Sequence, residues 1–145
     1  MVTFRKTLTN LTYISPFFIV ANLKVSVSFY VDKLGFEVRF IGPADEPFFA
    51  IVGREHISIM LKEIAEDIKP IPNHTRHEWA RWDAYISTTD PDALFEEYSA
   101  GGVTFHQPIR DDEDGLRGFE VIDADGYILF FGRPNKALRS IPGSK

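Results

Sequence analysis

The sequence contains no cysteine in its 145 residues, and that absence excludes several kinds of chemistry. There can be no disulfide framework, no zinc–thiolate centre and no thiol nucleophile. Lysine and arginine are also scarce: 16 of them face 21 aspartates and glutamates, and they form no basic cluster. Nucleic acids and anionic membrane surfaces both require a basic footprint, so neither is expected as a partner.

Long apolar segments are missing as well. No apolar run approaches the roughly 20 residues that are needed to cross a bilayer. The first residues, MVTFRKTLTNLTYISPFFIV, lack the continuous apolar stretch and the small-residue cleavage site of a signal peptide. Together these features predict a cytoplasmic protein. The glycine-rich motifs of nucleotide-binding proteins and the G-x-S-x-G motif of serine hydrolases do not occur either.

Aromatic residues, by contrast, are abundant. There are 13 phenylalanines, and aromatic residues make up 14% of the chain. Composition alone leaves two explanations open, a phenylalanine-rich core and an aromatic-lined cavity. The segment 127–131, YILFF, makes the question specific, because it follows an Asp-Gly turn and is apolar on both faces of the strand that it predicts.

Two parts of the chain repeat one order of elements. In the first, the strand-like FFIV is followed by the helix cap Asn22, an apolar stripe at helical spacing, Gly35 and the alternating FEVRF. In the second, AYIS is followed by the cap Asp90, a Pro at the first helical position, a stripe, a glycine pair and VTFHQ. A shift of 68 positions brings the two caps together. Two further strands follow each unit, so each half reads β-α-β-β-β.

This repeat predicts a single domain of class α+β, built from two βαβββ modules. Its expected parts are an N-terminal arm 1–14, module one 15–63, a connector 64–80, module two 81–134 and a tail 135–145. The connector contains His74, His77 and Glu78, which we interpret as surface residues because H-E-x-x-H is absent. His106 has no acid next to it in sequence, which makes it a poor candidate for a catalytic base.

Three segments together resemble the vicinal oxygen chelate superfamily, which includes glyoxalase I, extradiol dioxygenases, fosfomycin resistance enzymes and bleomycin resistance proteins. They are VANLKVSVSFYVDKLGFEV, TTDPDALFEEYSAGGVTF and GLRGFEVIDADGYILFF, and the resemblance covers Ser15 to Pro134. It implies a cup formed by the curved sheets of the two βαβββ modules. In the metalloenzymes of this superfamily, His and Glu on the first and last strands of each module hold a divalent ion.

The resemblance carries those metal-ligand positions onto Ser15, Met60, Asp83 and Phe130. One carboxylate, one hydroxyl, a thioether and a benzene ring fall short of the roughly three N or O⁻ donors that Zn²⁺, Fe²⁺ or Mn²⁺ require. No metal and no cofactor are therefore expected. The resemblance is nearest to the bleomycin resistance proteins, and it implies sequestration of a small aromatic or amphiphilic molecule, cationic ones included. It also implies a homodimer whose paired modules complete two sites.

No catalytic residue is predicted. The expected ligand-binding residues share an aromatic character or a position at the cup; they are Ser15, Phe17, Met60, Trp79, Trp82, Asp83, Tyr85, Phe119 and Phe130. Asp83 has a structural alternative, in which Arg81 or Arg117 pairs with it. For the whole chain, three alternatives stay open: a cup filled by its own side chains, a metal-dependent lyase, isomerase or dioxygenase with differently aligned ligands, and an accessory domain without a ligand.

Overall fold

The structure, a computed structural model, describes residues 7–135 and contains two four-stranded sheets. The first has the order β1-β4-β3-β2, and its strands are β1 Phe17–Val20, β2 Glu37–Gly42, β3 Phe49–Arg54 and β4 Ile57–Glu63. The second has the order β5-β8-β7-β6, and its strands are β5 Ala84–Ser87, β6 Phe105–Asp111, β7 Leu116–Ile122 and β8 Ile128–Pro134. In each sheet the first strand runs parallel to the last, and the other pairs are antiparallel. The predicted α+β fold of two βαβββ modules is confirmed.

Each module carries one helix, and the expected caps start both. Helix α1, Leu23–Ser28, begins where the Asn22 side chain accepts the Val25 N–H at 3.1 Å, and it continues as a π-helical turn, Phe29–Lys33. Helix α2, Pro91–Ala100, begins where Asp90 accepts the Ala93 N–H at 3.0 Å. Within residues 7–135, neither helix combines the length and the apolar character that crossing a bilayer demands.

The helix-facing sides of the two sheets share one hydrophobic core. Phe119 of β7 stacks on Phe131 of β8 with ring centroids 5.4 Å apart, and Tyr98 of α2 meets both rings edge-on. Because side chains alternate along a strand, Leu129 and Phe131 face this core, and Ile128 and Phe130 face the opposite side. The sides of the two sheets that face away from the core are called here the open faces of module one and module two.

A turn of module two fastens the two modules together. The Tyr30 hydroxyl donates to Asp123 Oδ2 at 2.5 Å, and the Ala21 N–H donates to Asp125 Oδ1 at 2.8 Å. The Tyr127 ring stacks on Phe18 at 4.2 Å between centroids. These contacts join the β7–β8 turn to β1, to the segment between β1 and α1, and to the π-helical turn after α1, so neither module completes its own packing alone.

Candidate functional site

The open face of module two carries a cluster of three aromatic rings. Tyr85 of β5 and Phe130 of β8 are partners in register, and their centroids lie 5.3 Å apart in a stacked arrangement. Trp82, just before β5, lies 4.7 Å from Phe130 and 5.7 Å from Tyr85. Phe130 is only 3% exposed whereas Tyr85 is 41% exposed. Phe130 is therefore the floor of the cluster, and Tyr85 and Trp82 offer its accessible surface.

Two glycines make room for the Phe130 ring. Gly118 of β7 and Gly132 of β8 are paired in register, and a Cβ on either would come within 2.6 Å of ring atoms of Phe130. Real Cβ atoms do not approach other atoms so closely, so the ring occupies space that side chains would otherwise fill. Partial burial in this cluster also raises the pKa of Tyr85 above its ordinary value. These glycines explain how β8 can be apolar on both faces.

A wall of charged side chains borders the aromatic cluster. The Arg81 guanidinium lies 4.5 Å from the centre of the Trp82 ring, and its NH2 group lies 3.8 Å from Glu120 Oε2. Arg81 also donates to Asp112 at 2.9 Å and to Asp114 at 2.5 Å. Glu120, whose side chain is 9% exposed, is bonded to His106 Nδ1 at 2.9 Å. Since Glu120 is the register partner of Phe130, this wall and the cluster share the open face.

The open face of module one exposes several large apolar side chains. Met60 of β4 is opposite Phe17 of β1, the position that corresponds to Phe130 opposite Tyr85 in module two. Phe17 and Phe40 are 54% and 53% exposed, and each has its ring about 6 Å from Phe49 (6.2 and 6.1 Å). An apolar sheet face of this kind usually meets a partner or a ligand.

The four positions that the resemblance assigns to metal ligands carry few of the donors that a divalent metal needs. Ser15 Oγ donates to the Ser58 carbonyl at 3.0 Å, and Met60 and Phe130 offer a thioether and a ring. Both carboxylate oxygens of Asp83 already accept backbone N–H groups, from Asn73 and from Ile128, each at 2.8 Å. No cluster of three or more histidine, aspartate or glutamate side chains within residues 7–135 has the geometry to hold an ion. The donors present do not fit the divalent metal of the metalloenzymes.

The contacts of Asp83 differ from those that the sequence suggested. Arg81 binds Asp112, Asp114 and Glu120, and Arg117 binds Asp92 and Asp111, so neither arginine pairs with Asp83. The backbone N–H groups of Asn73 and Ile128 bind the Asp83 carboxylate instead, and Asp83 thereby links the connector to β8. The geometry therefore favours the structural alternative for Asp83 over a charge contact with a ligand.

Five other expected ligand-binding residues lie outside the cluster. Phe119 is 0% exposed and is packed against Phe95 and Phe131 on the core side of β7, which corrects its expected place at the cup. Trp79 is 81% exposed, and its ring contacts His77 of the connector instead of Trp82. Ser15, Phe17 and Met60 lie on the open face of module one, apart from the rings of module two.

Sequence reasoning missed the pair His106–Glu120. The two residues are 14 positions apart, and irregular register between β6 and β7 brings His106 beside Glu120. A glutamate in the middle of the apolar strand LRGFEVI was the available signal, because a buried carboxylate demands a partner. The earlier objection to His106, that it lacks a paired acid, is therefore removed.

A separate cavity of about 480 Å³ lies on the helix side, between the β3–β4 turn and the start of α2. The Arg54 guanidinium in its wall is held by both carboxylate oxygens of Glu97, at 2.8 and 2.9 Å, and by the Leu34 carbonyl at 3.0 Å. These bonds join the two modules. We interpret the cavity as part of the junction between the two modules. The Arg54 guanidinium in its wall is already hydrogen-bonded within the protein, and the aromatic cluster lies elsewhere.

Comparison with known proteins agrees with this fold. Residues 11–131 match the model of the glyoxalase/bleomycin resistance protein/dioxygenase superfamily, and the chain belongs to that superfamily. No curated protein sequence matches the chain.

Several solved structures share the fold. The bleomycin-binding protein of bleomycin-producing Streptomyces verticillus, solved with copper(II)-bleomycin, is 27% identical with a TM-score of 0.61, covering 93% of this chain and 100% of that one. TnmS3, an antibiotic binding protein from Streptomyces sp. CB03234, is 18% identical with a TM-score of 0.65, covering 88% and 99%. TioX from Micromonospora sp. ML1 is 20% identical with a TM-score of 0.65, covering 85% and 98%.

Proposed function

We propose that this protein binds and sequesters a small planar aromatic molecule on the open face of module two, without a metal ion and without transforming it. The observation that carries the proposal is the cluster of Trp82, Tyr85 and Phe130, in which a buried ring supports two accessible ones. Aromatic pairs contribute about 0.5–1.5 kcal/mol beyond the area that they bury, so a flat ligand gains from stacking here.

The composition of the metal-ligand positions supports binding over metal-dependent catalysis. Ser15 and Asp83 have their oxygens engaged within the chain, and Met60 and Phe130 supply no charged donor. Two relatives with this fold are described as binding antibiotics, namely bleomycin for one and an unspecified antibiotic for TnmS3. The ligand class follows from the cluster, and an antibiotic is one kind of molecule that fits it.

The proposal includes a homodimer. The open face of module one exposes Phe17 and Phe40 and lies on the other side of the shared core from its own helices. A two-fold axis would place this apolar face of one copy over the aromatic cluster of the other, and each pair of faces would enclose one ligand. Burial of both faces in one association accounts for apolar surface that a monomer leaves exposed to water.

Ligand binding to paired tryptophan variants tests the proposal. Copper(II)-bleomycin and planar aromatic compounds would be screened by thermal shift, and the affinity of each hit measured by calorimetry. We expect Trp82→Ala to weaken binding about tenfold, the equivalent of roughly 1.4 kcal/mol. Trp79→Ala removes the same side chain outside the cluster and should leave the affinity unchanged.

Chelation provides the second part of this test. Treatment with EDTA should alter neither the melting temperature nor the affinity for a metal-free aromatic hit, because no ligand contact runs through an ion. Loss of binding on chelation would show that binding depends on a metal ion, and it would contradict the proposal of a metal-free binder. Failure of every compound to bind, or an equal loss in the two tryptophan variants, would remove the aromatic cluster as the site.

A further inference from the structure

His106 is held in one orientation by a buried carboxylate. Its Nδ1 lies 2.9 Å from Glu120 Oε1, and the Glu120 side chain is 9% exposed. An ionised carboxylate can only accept a hydrogen bond, so Nδ1 carries the hydrogen, and in the neutral imidazole Nε2 is left with a lone pair. Within the part of the chain that the structure describes, Nε2 has no hydrogen-bond partner, and the His106 side chain is 45% exposed.

His106 lies two strands from Phe130 on the open face of module two, with Glu120 between them. Glu120 is opposite Phe130 in register, and Arg81 connects Glu120 to the Trp82 ring. A continuous row therefore leads from the Trp82 ring through Arg81 and Glu120 to His106. A flat molecule that is stacked on the cluster and extends over this row would bring its edge to His106, whose Nε2 can accept a hydrogen.

The charges along this row decide which ligand chemistry fits. One guanidinium, Arg81, is surrounded by three carboxylates, those of Asp112, Asp114 and Glu120. The surplus of negative charge opposes an anionic ligand, and the guanidinium is already occupied. A neutral donor meets no such opposition, and a phenolic O–H is the strongest neutral donor that an aromatic ring commonly carries.

We propose that His106 is the ligand-contacting hydrogen-bond acceptor of the module-two open face, that Glu120 positions it, and that the ligand is an aromatic molecule with a phenolic hydroxyl at its edge. This rests on the proposed aromatic-binding function and narrows it to a ligand class. His74 lies beside His106, with 6.0 Å between their ring centroids, but the Nε2 of His74 is hydrogen-bonded to the Gly126 carbonyl at 2.9 Å. His106 is thus the histidine whose outer nitrogen remains available.

A matched pair of probes tests the hydroxyl directly. 2-Naphthol donates a hydrogen bond, whereas 2-methoxynaphthalene has the same ring system and cannot. Affinities would be measured by fluorescence at about pH 7.5, below the ordinary titration range of phenols. We expect 2-naphthol to bind about tenfold more tightly, the factor that one net hydrogen bond supplies, although it is the less apolar probe.

Variants assign the preference to its residue. His106→Phe keeps a ring and removes the acceptor, so the affinity for 2-naphthol should fall to that for 2-methoxynaphthalene, which should itself be unchanged. His56→Phe makes the same exchange in the exposed β3–β4 turn and should retain the tenfold preference. Glu120→Gln still accepts from Nδ1 but without a charge, and a reduced preference is expected because the imidazole becomes a weaker acceptor.

The tautomer of His106 can be measured without any ligand. Long-range ¹H–¹⁵N correlation spectra of the wild-type protein should show hydrogen on Nδ1 and none on Nε2, and the opposite tautomer would overturn the proposal even if His106→Phe did not fold. Equal affinity of the two probes for the wild type, or a preference that survives His106→Phe, would also overturn it while leaving aromatic binding intact. If neither probe binds, the proposed function fails together with this refinement.

Discussion

At the scale of single residues, Asp123 is a carboxyl whose burial outweighs its hydrogen bonds. Its Oδ1 accepts the N–H groups of Asp125 and Tyr127, both at 2.9 Å, and its Oδ2 accepts the Tyr30 hydroxyl. Desolvation by burial is the largest influence, and it raises the pKa of Asp123 to about 6, although these three bonds favour the charged form. The carboxyl that joins the two modules is therefore more easily protonated in the folded protein than in the unfolded one.

This pKa predicts how stability depends on pH. The folded state holds a proton on Asp123 that the unfolded chain releases above its ordinary pKa of about 3.9. The contribution of this proton to the free energy of unfolding is complete below the pKa of the unfolded chain, and it is lost as the pH rises through about 6. A change of roughly 3 kcal/mol in the free energy of unfolding corresponds to a shift of this size. Urea unfolding from pH 3.5 to 7 measures it, using about half-unit steps.

Asp123→Asn is the matched variant for that measurement, because an amide resembles the protonated carboxyl in shape and donor pattern. The difference in unfolding free energy between wild type and variant should shift in favour of the variant as the pH rises from about 4 to 6. A difference that stays constant over this range would mean that Asp123 is ionised throughout and that its hydrogen bonds outweigh its burial.

At the scale of elements, the local signals in the sequence were sufficient for the modules. The caps Asn22 and Asp90 start the helices, and Gly35 and Gly102 adopt φ of 73° and 79° after them, a left-handed conformation that glycine adopts without strain. Helix caps and the glycines that follow helices depend on contacts between residues close in sequence, so their spacing in the sequence predicts them. The repeat does not by itself give the pairing of β4 with β1, which brings Met60 opposite Phe17.

Side-chain direction in module two could not be derived in the same way. Strand β8 is apolar at consecutive positions, so alternation does not reveal which of its residues face the core. Phe119 of β7 was expected at the cup, whereas both it and its register partner Phe131 belong to the core. The irregular register of β6 also hides the approach of His106 to Glu120, because an extra residue in a strand reverses the faces that follow it.

Asp83 provides a prediction about how an element is held. Its two carboxylate oxygens bind the N–H groups of Asn73 in the connector and Ile128 in β8. In Asp83→Asn one of these oxygens becomes an NH₂ group that faces another donor, so we expect the free energy of unfolding to fall by about 1–3 kcal/mol. The affinity for an aromatic ligand should not change. Urea unfolding and calorimetry on the same samples measure the two quantities.

Asp67→Asn is the control, since it removes the charge of an exposed connector carboxylate. Its unfolding free energy should stay within about 0.5 kcal/mol of the wild type, as for most surface substitutions. A loss of ligand affinity in Asp83→Asn without a loss of stability would restore the expected charge contact between Asp83 and the ligand.

At the scale of the whole molecule, the two open faces point away from the one core. This arrangement predicts that light scattering gives about twice the chain mass of 16.5 kDa. Phe40→Glu places a carboxylate on the module-one open face, where dimer formation would have to desolvate it, so the mass should fall to that of one chain and ligand affinity should fall with it. A wild-type monomer at micromolar concentration would contradict the shared site.

Val25→Glu is the matched control for the dimer. Val25 is 55% exposed, close to the 53% of Phe40, but it lies on α1, on the helix side of the first sheet. The variant should therefore remain a dimer and keep its ligand affinity. Dissociation of Val25→Glu together with a dimeric Phe40→Glu would move the interface to the helices and leave the module-one open face without its proposed role.

The fastening of the modules by the β7–β8 turn also has a consequence for biosynthesis. Tyr30 and Asp123 are 93 positions apart, and Ile19 and Tyr127, joined by the Tyr127 hydroxyl, are 108 apart. At about 5–20 residues per second, translation delivers the turn roughly 5–20 seconds after α1 has been made. During that interval Phe18 has no ring to stack on, so the nascent first module exposes apolar surface that a chaperone can hold. The chain therefore reaches its native state as one unit, once its last hairpin has been synthesised.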